Sequence, residues 1–123
     1  MNIVFTAPVR IESEMNRRDH WTRRRKRFKA QERAVYFAFA ALHRTPDSLW
    51  TLPSVVTLTR IGPRTLDTDN LAGGFKQVRD TIADLLGYDD GDPRVEWIYA
   101  QEKGKPKEYA IRVEIRTNEA TNP

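Results

Sequence analysis

The sequence predicts a single small α+β domain, in which a mixed four-stranded sheet carries two main helices in the order β-α-β-α-β-β. Three observations lead there. Four short stretches are β-branched or alternate apolar with polar residues, and two longer ones repeat at helical spacing. Proline or glycine stands at nearly every transition: Pro8, Pro46, Gly62-Pro63, Gly87 and Gly104. A chain of 123 residues without an internal repeat is enough for one core.

Ile3, Phe5 and Ala7 alternate with Val4 and Thr6, so residues 2 to 7 form a strand that Pro8 ends. Residues 9 to 20 have no period and read as a loop. Trp21, Phe28, Val35 and Leu42 then recur seven apart, with Gln31 and Ala38 at the half-steps, which is one face of a long helix over 21–42. Its first half is basic outside that face and its second half is almost wholly apolar. Its start should therefore be solvated and its end buried, with Pro46 and Asp47 closing it. Residues 54 to 60 are β-branched and form the second strand, broken by Gly62-Pro63. Asp69 or Asn70 can cap a second helix that Gly87 stops. Its apolar stripe is Phe75, Val78, Ile82 and Leu85, and Gly73-Gly74 weakens its first turn. Residues 94 to 102 alternate, with Val95, Trp97, Tyr99 and Gln101 on one face. After the turn at Gly104-Lys105-Pro106-Lys107, the alternation of Tyr109, Ile111, Val113 and Ile115 makes the last strand. The domain is expected over residues 1–116, with 117–123 a polar, frayed tail.

Charge is the most uneven property of the chain. The formal net charge is +4 and the pI about 9.6, which favours an anionic partner. From Arg10 to Arg33 there are ten Lys/Arg against four Asp/Glu. Within it, Arg17, Arg18, Arg23, Arg24, Arg25 and Arg27 are the candidate DNA contacts, because phosphate neutralisation dominates non-specific affinity. Trp21 opens the core stripe and is read as packing rather than stacking on a base. His20 and His43 are read as solvated or structural, His20 with a chance of touching DNA.

Residues 67 to 92 invert this balance: seven aspartates, no glutamate, and Lys76 and Arg79 as the only basic residues. Aspartate is a poor helix former that favours caps and turns. Asp67-Thr68-Asp69 alone is a turn and a cap, and Asp89-Asp90-Gly91-Asp92 alone is a turn. Together they flank one helix that also presents Lys76, and two such clusters repel unless a cation lies between them. Short converging carboxylates are what Mg²⁺ requires, and a lysine among them suits a phosphate near the metal. Asp80 and Asp84 are read as a solvated face or as partners of Lys76. The absence of cysteine excludes a disulfide framework and a thiolate metal site and suits a reducing cytoplasm. The apolar start is too short for a signal peptide, and the longest apolar run, Ala34 to Leu42, is too short for a membrane span.

The run Asp67-Thr68-Asp69-Asn70-Leu71, a lysine at 76, an aspartate at 80 and the pair Asp89-Asp90 ahead of Val95 resemble the RusA-type Holliday junction resolvases. These are small, homodimeric, Mg²⁺-dependent endonucleases common in phages and prophages. The resemblance is good over residues 64–95 and loose elsewhere. It implies Asp67, Asp69 and Asp90 as metal-binding and catalytic carboxylates, Lys76 as catalytic and DNA-contacting, and Mg²⁺ or Mn²⁺ as cofactor, with no small-molecule cofactor. It further implies a cytoplasmic homodimer that cuts branched DNA, with no membrane partner. Two spacings depart from the family. Lys76 lies seven residues after Asp69, and Gly91-Asp92-Pro93-Arg94 lengthens the gap to Val95, so Asp92 competes with Asp90. A helix over 70–86 would be about 25 Å long, which keeps Asp90 from Asp69 unless the helix breaks near Gly73-Gly74 or the site is shared across a dimer. Flaps or forks remain open as substrates. A non-catalytic basic DNA-binding protein whose acidic patch recruits a partner is the rival reading.

Overall fold

The computed structural model describes residues 2–13, 21–42 and 54–117. Strand β1 (Asn2–Ala7) is followed by α1 (Trp21–Ala40), β2 (Ser54–Gly62), α2 (Thr68–Gly74), α3 (Lys76–Leu86), β3 (Val95–Lys103) and β4 (Ala110–Thr117). The α+β class, the mixed four-stranded sheet and the strand order along the chain agree with expectation. Thr117, assigned to the tail, instead pairs with Ser54 at the end of β4. Residues 118–123 and the closing Pro46 and Asp47 lie outside the described residues.

The sheet runs β1-β4-β2-β3. β4 lies antiparallel between β1 and β2, with Phe5 opposite Val113 and Leu58 opposite Val113. β2 and β3 are parallel, Ser54 opposite Val95 and Gly62 opposite Lys103. Parallel neighbours need a long crossover, and α2–α3 supplies it. Alternate residues from all four strands (Ile3, Phe5, Val56, Leu58, Val95, Ile111, Val113, Ile115) enter one core with Val35, Phe39, Phe75, Val78, Ile82 and Leu86 from the helices. Phe5 meets Phe39 edge-on at 6.1 Å, and Phe75 stacks on Tyr99 at 6.0 Å.

Three helices replace the two expected. The second helix steps at Phe75, whose φ of −89° and ψ of 0° leave the helical region. The step is small: Phe75 N–H still donates to Leu71 O at 3.2 Å, and Arg79 N–H to Phe75 O at 2.8 Å. The loop before α1 packs against this step. At Gly74 the loop backbone comes so close that a Cβ would sit 2.6 Å from the carbonyl oxygen of Glu12. Gly87 ends α3 as its position predicts, with φ 76°. Tyr88 N–H reaches Ala83 O and Gly87 N–H reaches Asp84 O, the Schellman pattern, with Tyr88 buried behind it.

Helix α1 departs from its expected burial. Gln31, Val35 and Phe39 are buried, but Trp21 is 62% exposed and Phe37 82% exposed. The seven-residue seam therefore holds from Phe28 onward and fails at Trp21, because α1 packs on α3 and β1 only after its first turn and a half. The apolar second half is not wholly buried either: Phe37 and Tyr36 face outward. Among the described residues, no helix is long and apolar enough to cross a membrane.

Candidate functional site

The acidic segment begins where β2 ends, and a buried arginine sets that corner. Arg60 is 5% exposed; its Nε donates to Ile11 O at 3.0 Å and its Nη1 to Arg64 O. It ties the loop before α1 to the loop after β2. Burial, and then Arg10 nearby, lower its pKa, but a guanidinium stays charged even so. Next along the chain, Gln101 clamps Leu66 as a strand neighbour would: Leu66 N–H donates to Oε1 at 2.9 Å and Nε2 donates to Leu66 O at 2.7 Å. This fixes where Asp67 enters α2.

Asp67 is the N-cap of α2. Its Oδ1 accepts from Asn70 N–H at 2.9 Å and its Oδ2 from Asn70 Nδ2 at 3.0 Å. Asn70 Oδ1 in turn accepts from Ser13 Oγ at 2.6 Å. The sequence places the cap two or three residues later, at Asp69 or Asn70. Asp69 stands exposed in the first turn, where the helix dipole favours a carboxylate. Gly73, Lys76 and Asp80 follow at steps that keep them on one helical face with Asp69.

That face looks onto α1. A cleft of about 420 Å³ lies between them, lined by Arg24, Phe28, Gly73, Lys76, Gln77 and Asp80. Asp80 stands at its acidic end, near enough to Asp90 for that charge to act on it. Burial raises the Asp80 pKa, and the Asp90 charge raises it further; Lys76 and Arg79 pull it back without cancelling the rise. Asp80, read from the sequence as solvated or as a partner of Lys76, is half-buried beside both Lys76 and Asp90. Asp84 is exposed as expected.

Arg79 holds the Asp90 loop in place. Its Nη2 donates to Asp90 O at 2.7 Å, its Nη1 to Tyr99 Oη at 2.9 Å, and its guanidinium lies 4.8 Å from the Trp97 ring centre. Nothing local in the sequence marks this role; an arginine one residue before an acidic stripe reads as solvated. Asp92 is engaged elsewhere. It accepts from Arg94 N–H at 2.9 Å and pairs with Arg94 Nη2 at 2.8 Å, which drives its pKa down to about 2. Between the two candidates for the third carboxylate, Asp90 faces the cleft residues and Asp92 faces Arg94.

The three carboxylates named from the sequence are not brought together within one chain. Asp69 and Asp80 are eleven residues apart on segments that keep one direction through the Phe75 step, about 16 Å of helix rise, and Asp90 is at Asp80. The parallel register says the same. Asp67 follows the carboxyl end of β2 while Asp90 precedes the amino end of β3, opposite ends of a pair about 26 Å long at 3.3 Å per residue. Among the described residues, no group of three or more His, Cys, Asp or Glu side chains is placed to hold a metal ion.

The basic segment divides. Arg17, Arg18 and His20 lie outside the described residues, as does His43. Arg23, Arg24 and Arg25 are exposed at the start of α1, and Arg24 lines the cleft with Lys76. No acidic residue accompanies them in the first turn. Cations at a helix N-terminus oppose the dipole, by about 0.3–1 kcal/mol each when exposed. Three of them concentrate positive potential at the start of α1 at some cost to the helix. Arg27 is different: its side chain is 16% exposed and lies 3.9 Å from Glu12, so it braces α1 against the preceding loop rather than facing a ligand.

A stability test isolates the Asp80–Asp90 contact. A carboxyl whose folded pKa is raised destabilises the fold as pH climbs from the ordinary carboxylate range through the folded value. Asp80→Asn removes that titration. In EDTA at pH 7 the variant should melt above wild type, and the gap should close as the pH falls below the ordinary carboxylate range. A variant that melts no higher at pH 7 would show that Lys76 and Arg79 outweigh burial and Asp90.

No family model and no curated protein matches the chain. The chain is similar in structure to TubZ from Bacillus thuringiensis serovar israelensis, solved as GDP-form protofilaments. The likeness has a TM-score of 0.50 at 10% identity and covers 93% of this chain but 25% of that one. The chain thus spans about a quarter of the length of that protein, and at this identity the likeness concerns the fold alone.

Proposed function

We propose that this protein is a Mg²⁺-dependent endonuclease that resolves four-way DNA junctions as a homodimer. The observation that carries the reading is the cleft between α1 and α3. It sets Lys76 and Asp80, with Asp90 close by, opposite Arg24 of the arginine-rich start of α1. A phosphodiester fits such a surface: Arg24 neutralises backbone charge along the track, and the Lys76 ammonium offsets charge developing on the scissile phosphate. Mg²⁺ or Mn²⁺, when bound by Asp67, Asp69 and Asp90, supplies Lewis-acid polarisation of the phosphate and an activated water. The proximity of Asp80 and Asp90 suits that role, since two neighbouring carboxylates repel and a cation beside them relieves the repulsion. Because the three carboxylates do not meet in one chain, we infer that a two-fold axis brings Asp67 and Asp69 of one subunit to Asp90 of the other. Two symmetric cuts in strands of like polarity also call for a two-fold dimer.

The absence of a three-carboxylate group among the described residues favours one rival, a DNA-binding protein that does not cut. A labelled four-way junction and a linear duplex, each with Mg²⁺ or EDTA, separate the two. Wild type should nick the junction with Mg²⁺ and not in EDTA, and Asp69→Asn should bind it and leave it intact. Binding without nicking at every Mg²⁺ or Mn²⁺ concentration would leave the non-catalytic reading. Cutting by Asp69→Asn at the wild-type rate would remove Asp69 from the metal site.

A further inference from the structure

Trp21 opens α1 with its indole 62% exposed, although the seven-residue seam assigned it to the core. It lines a second cleft, of about 310 Å³, with Arg24, Arg25, Phe28, Lys29 and Gln77. Trp21, Arg24 or Arg25, and Phe28 fall at i, i+3 or i+4, and i+7, so two aromatic side chains flank the cations on one helical face. The volume is at the small end of pockets that enclose an organic ligand, and far too small for a duplex. Arg24, Phe28 and Gln77 also line the cleft of Lys76 and Asp80, so the two clefts adjoin.

Aromatic faces beside cations, at the scale of one planar group, match a nucleotide with its base unstacked. Bases stack on aromatic side chains whatever their sequence, and Lys and Arg follow the backbone. We propose that this cleft seats one unpaired nucleotide of the strand that runs on to Lys76, its base against Trp21 and Phe28 and its phosphate on Arg25 and Lys29. Glu32, also on the cleft wall, disfavours a phosphate on its side and orients the nucleotide. The assignment of the adjoining cleft to the scissile phosphate rests on the nuclease reading; the base seat itself needs no catalysis. It gives a reason for structure selectivity: a base at a branch point is already partly unstacked, whereas in an intact duplex the same base must first be extruded.

The test is binding in EDTA, read by fluorescence anisotropy, of a short labelled oligothymidylate and of a duplex of equal length. Wild type, Trp21→Ala and Trp21→Phe are compared, with a melting curve for each. Trp21→Ala should weaken oligothymidylate binding about tenfold or more and leave duplex binding within about twofold, because the arginines remain. Trp21→Phe keeps an aromatic face and should recover most of the loss, at an unchanged melting temperature. Wild-type affinity of Trp21→Ala for oligothymidylate, or equal losses on oligothymidylate and duplex, would overturn the base seat. So would displacement of oligothymidylate by polyglutamate as readily as by unlabelled oligothymidylate, which would make the cleft an acidic-peptide site. Cut junctions with Trp21-independent binding overturn the seat alone; uncut junctions with Trp21-dependent binding overturn the nuclease reading alone.

Discussion

A mixed dimer of one Asp69→Asn chain and one Asp90→Asn chain is expected to nick a four-way junction that neither mutant homodimer cuts. The expectation follows from the separation of the acidic clusters. Asp69 is in the first turn of α2, and Asp90 lies against Asp80 about 16 Å further along the helix pair. Ligands of one Mg²⁺ must each approach to about 2.1 Å, so a single chain does not complete the set. If each site takes Asp67 and Asp69 from one subunit and Asp90 from the other, the mixed dimer has one site with both substitutions and one with neither. The intact site makes single nicks rather than paired cuts. Loss of a metal-binding carboxylate should otherwise be near total, so restored nicking would stand out against a blank background. A mixed dimer as inactive as both parents would place each site within one chain and would require α2 and α3 to fold back at Phe75 when metal binds. The readout is strand nicking of a labelled junction by tagged, purified heterodimer, with binding measured alongside to show that the chains still dock on DNA.

Gly74→Ala should be the most damaging small substitution in the chain. The added Cβ would lie 2.6 Å from Glu12 O and 2.8 Å from Ile11 Cγ2, and the first of these is backbone that cannot rotate away. Ile11 is buried, and its own carbonyl is held by Arg60, so the loop cannot retreat without exposing that guanidinium's partner. Overpacking of this kind costs about 1–3 kcal/mol and sometimes more. At the upper end the melting temperature falls by roughly 15 °C in a domain of this size. The helical gain of alanine over glycine, about 1 kcal/mol, is not enough to offset it. Gly91→Ala is the control, since nothing lies within 4 Å of its Cβ position. A Gly74→Ala protein that melts with wild type would mean that the loop before α1 is not seated on α2. The positions of Asp67 and Asn70, which Ser13 helps to hold, would then be in question too.

The loop's seat on Gly74 also marks how far sequence reading reaches. Features set within a few residues were legible. β1 over Asn2–Ala7 follows from alternation alone. The αL stop at Gly87 follows because a side-chain-bearing residue is strained there. A short polar cap on the second helix follows because such side chains satisfy the free N–H groups of a first turn, though the cap is Asp67 and not Asp69 or Asn70. The acidic clusters around one helix, and the arginines at the start of α1, were equally plain, since charge is a property of composition. What the tertiary structure decided is everything that depends on a partner distant in the chain. A break near Gly73-Gly74 was one of two alternatives, and it falls at Phe75, but what Gly74 meets is a loop more than sixty residues earlier. Trp21 satisfied the periodicity of a core residue, yet it is 62% exposed, because burial depends on which surfaces the fold brings to it. Nothing local marks Arg60 or Arg79; one is buried at a corner and the other pins the loop of Asp90. Asp80 became the neighbour of Asp90 only because the loop into β3 returns along α3, and the parallel pairing of β2 with β3 is what sends it there. Periodicity and capping are energies of a few residues, readable along the chain, whereas burial and pKa are set by whichever surfaces the fold brings into contact.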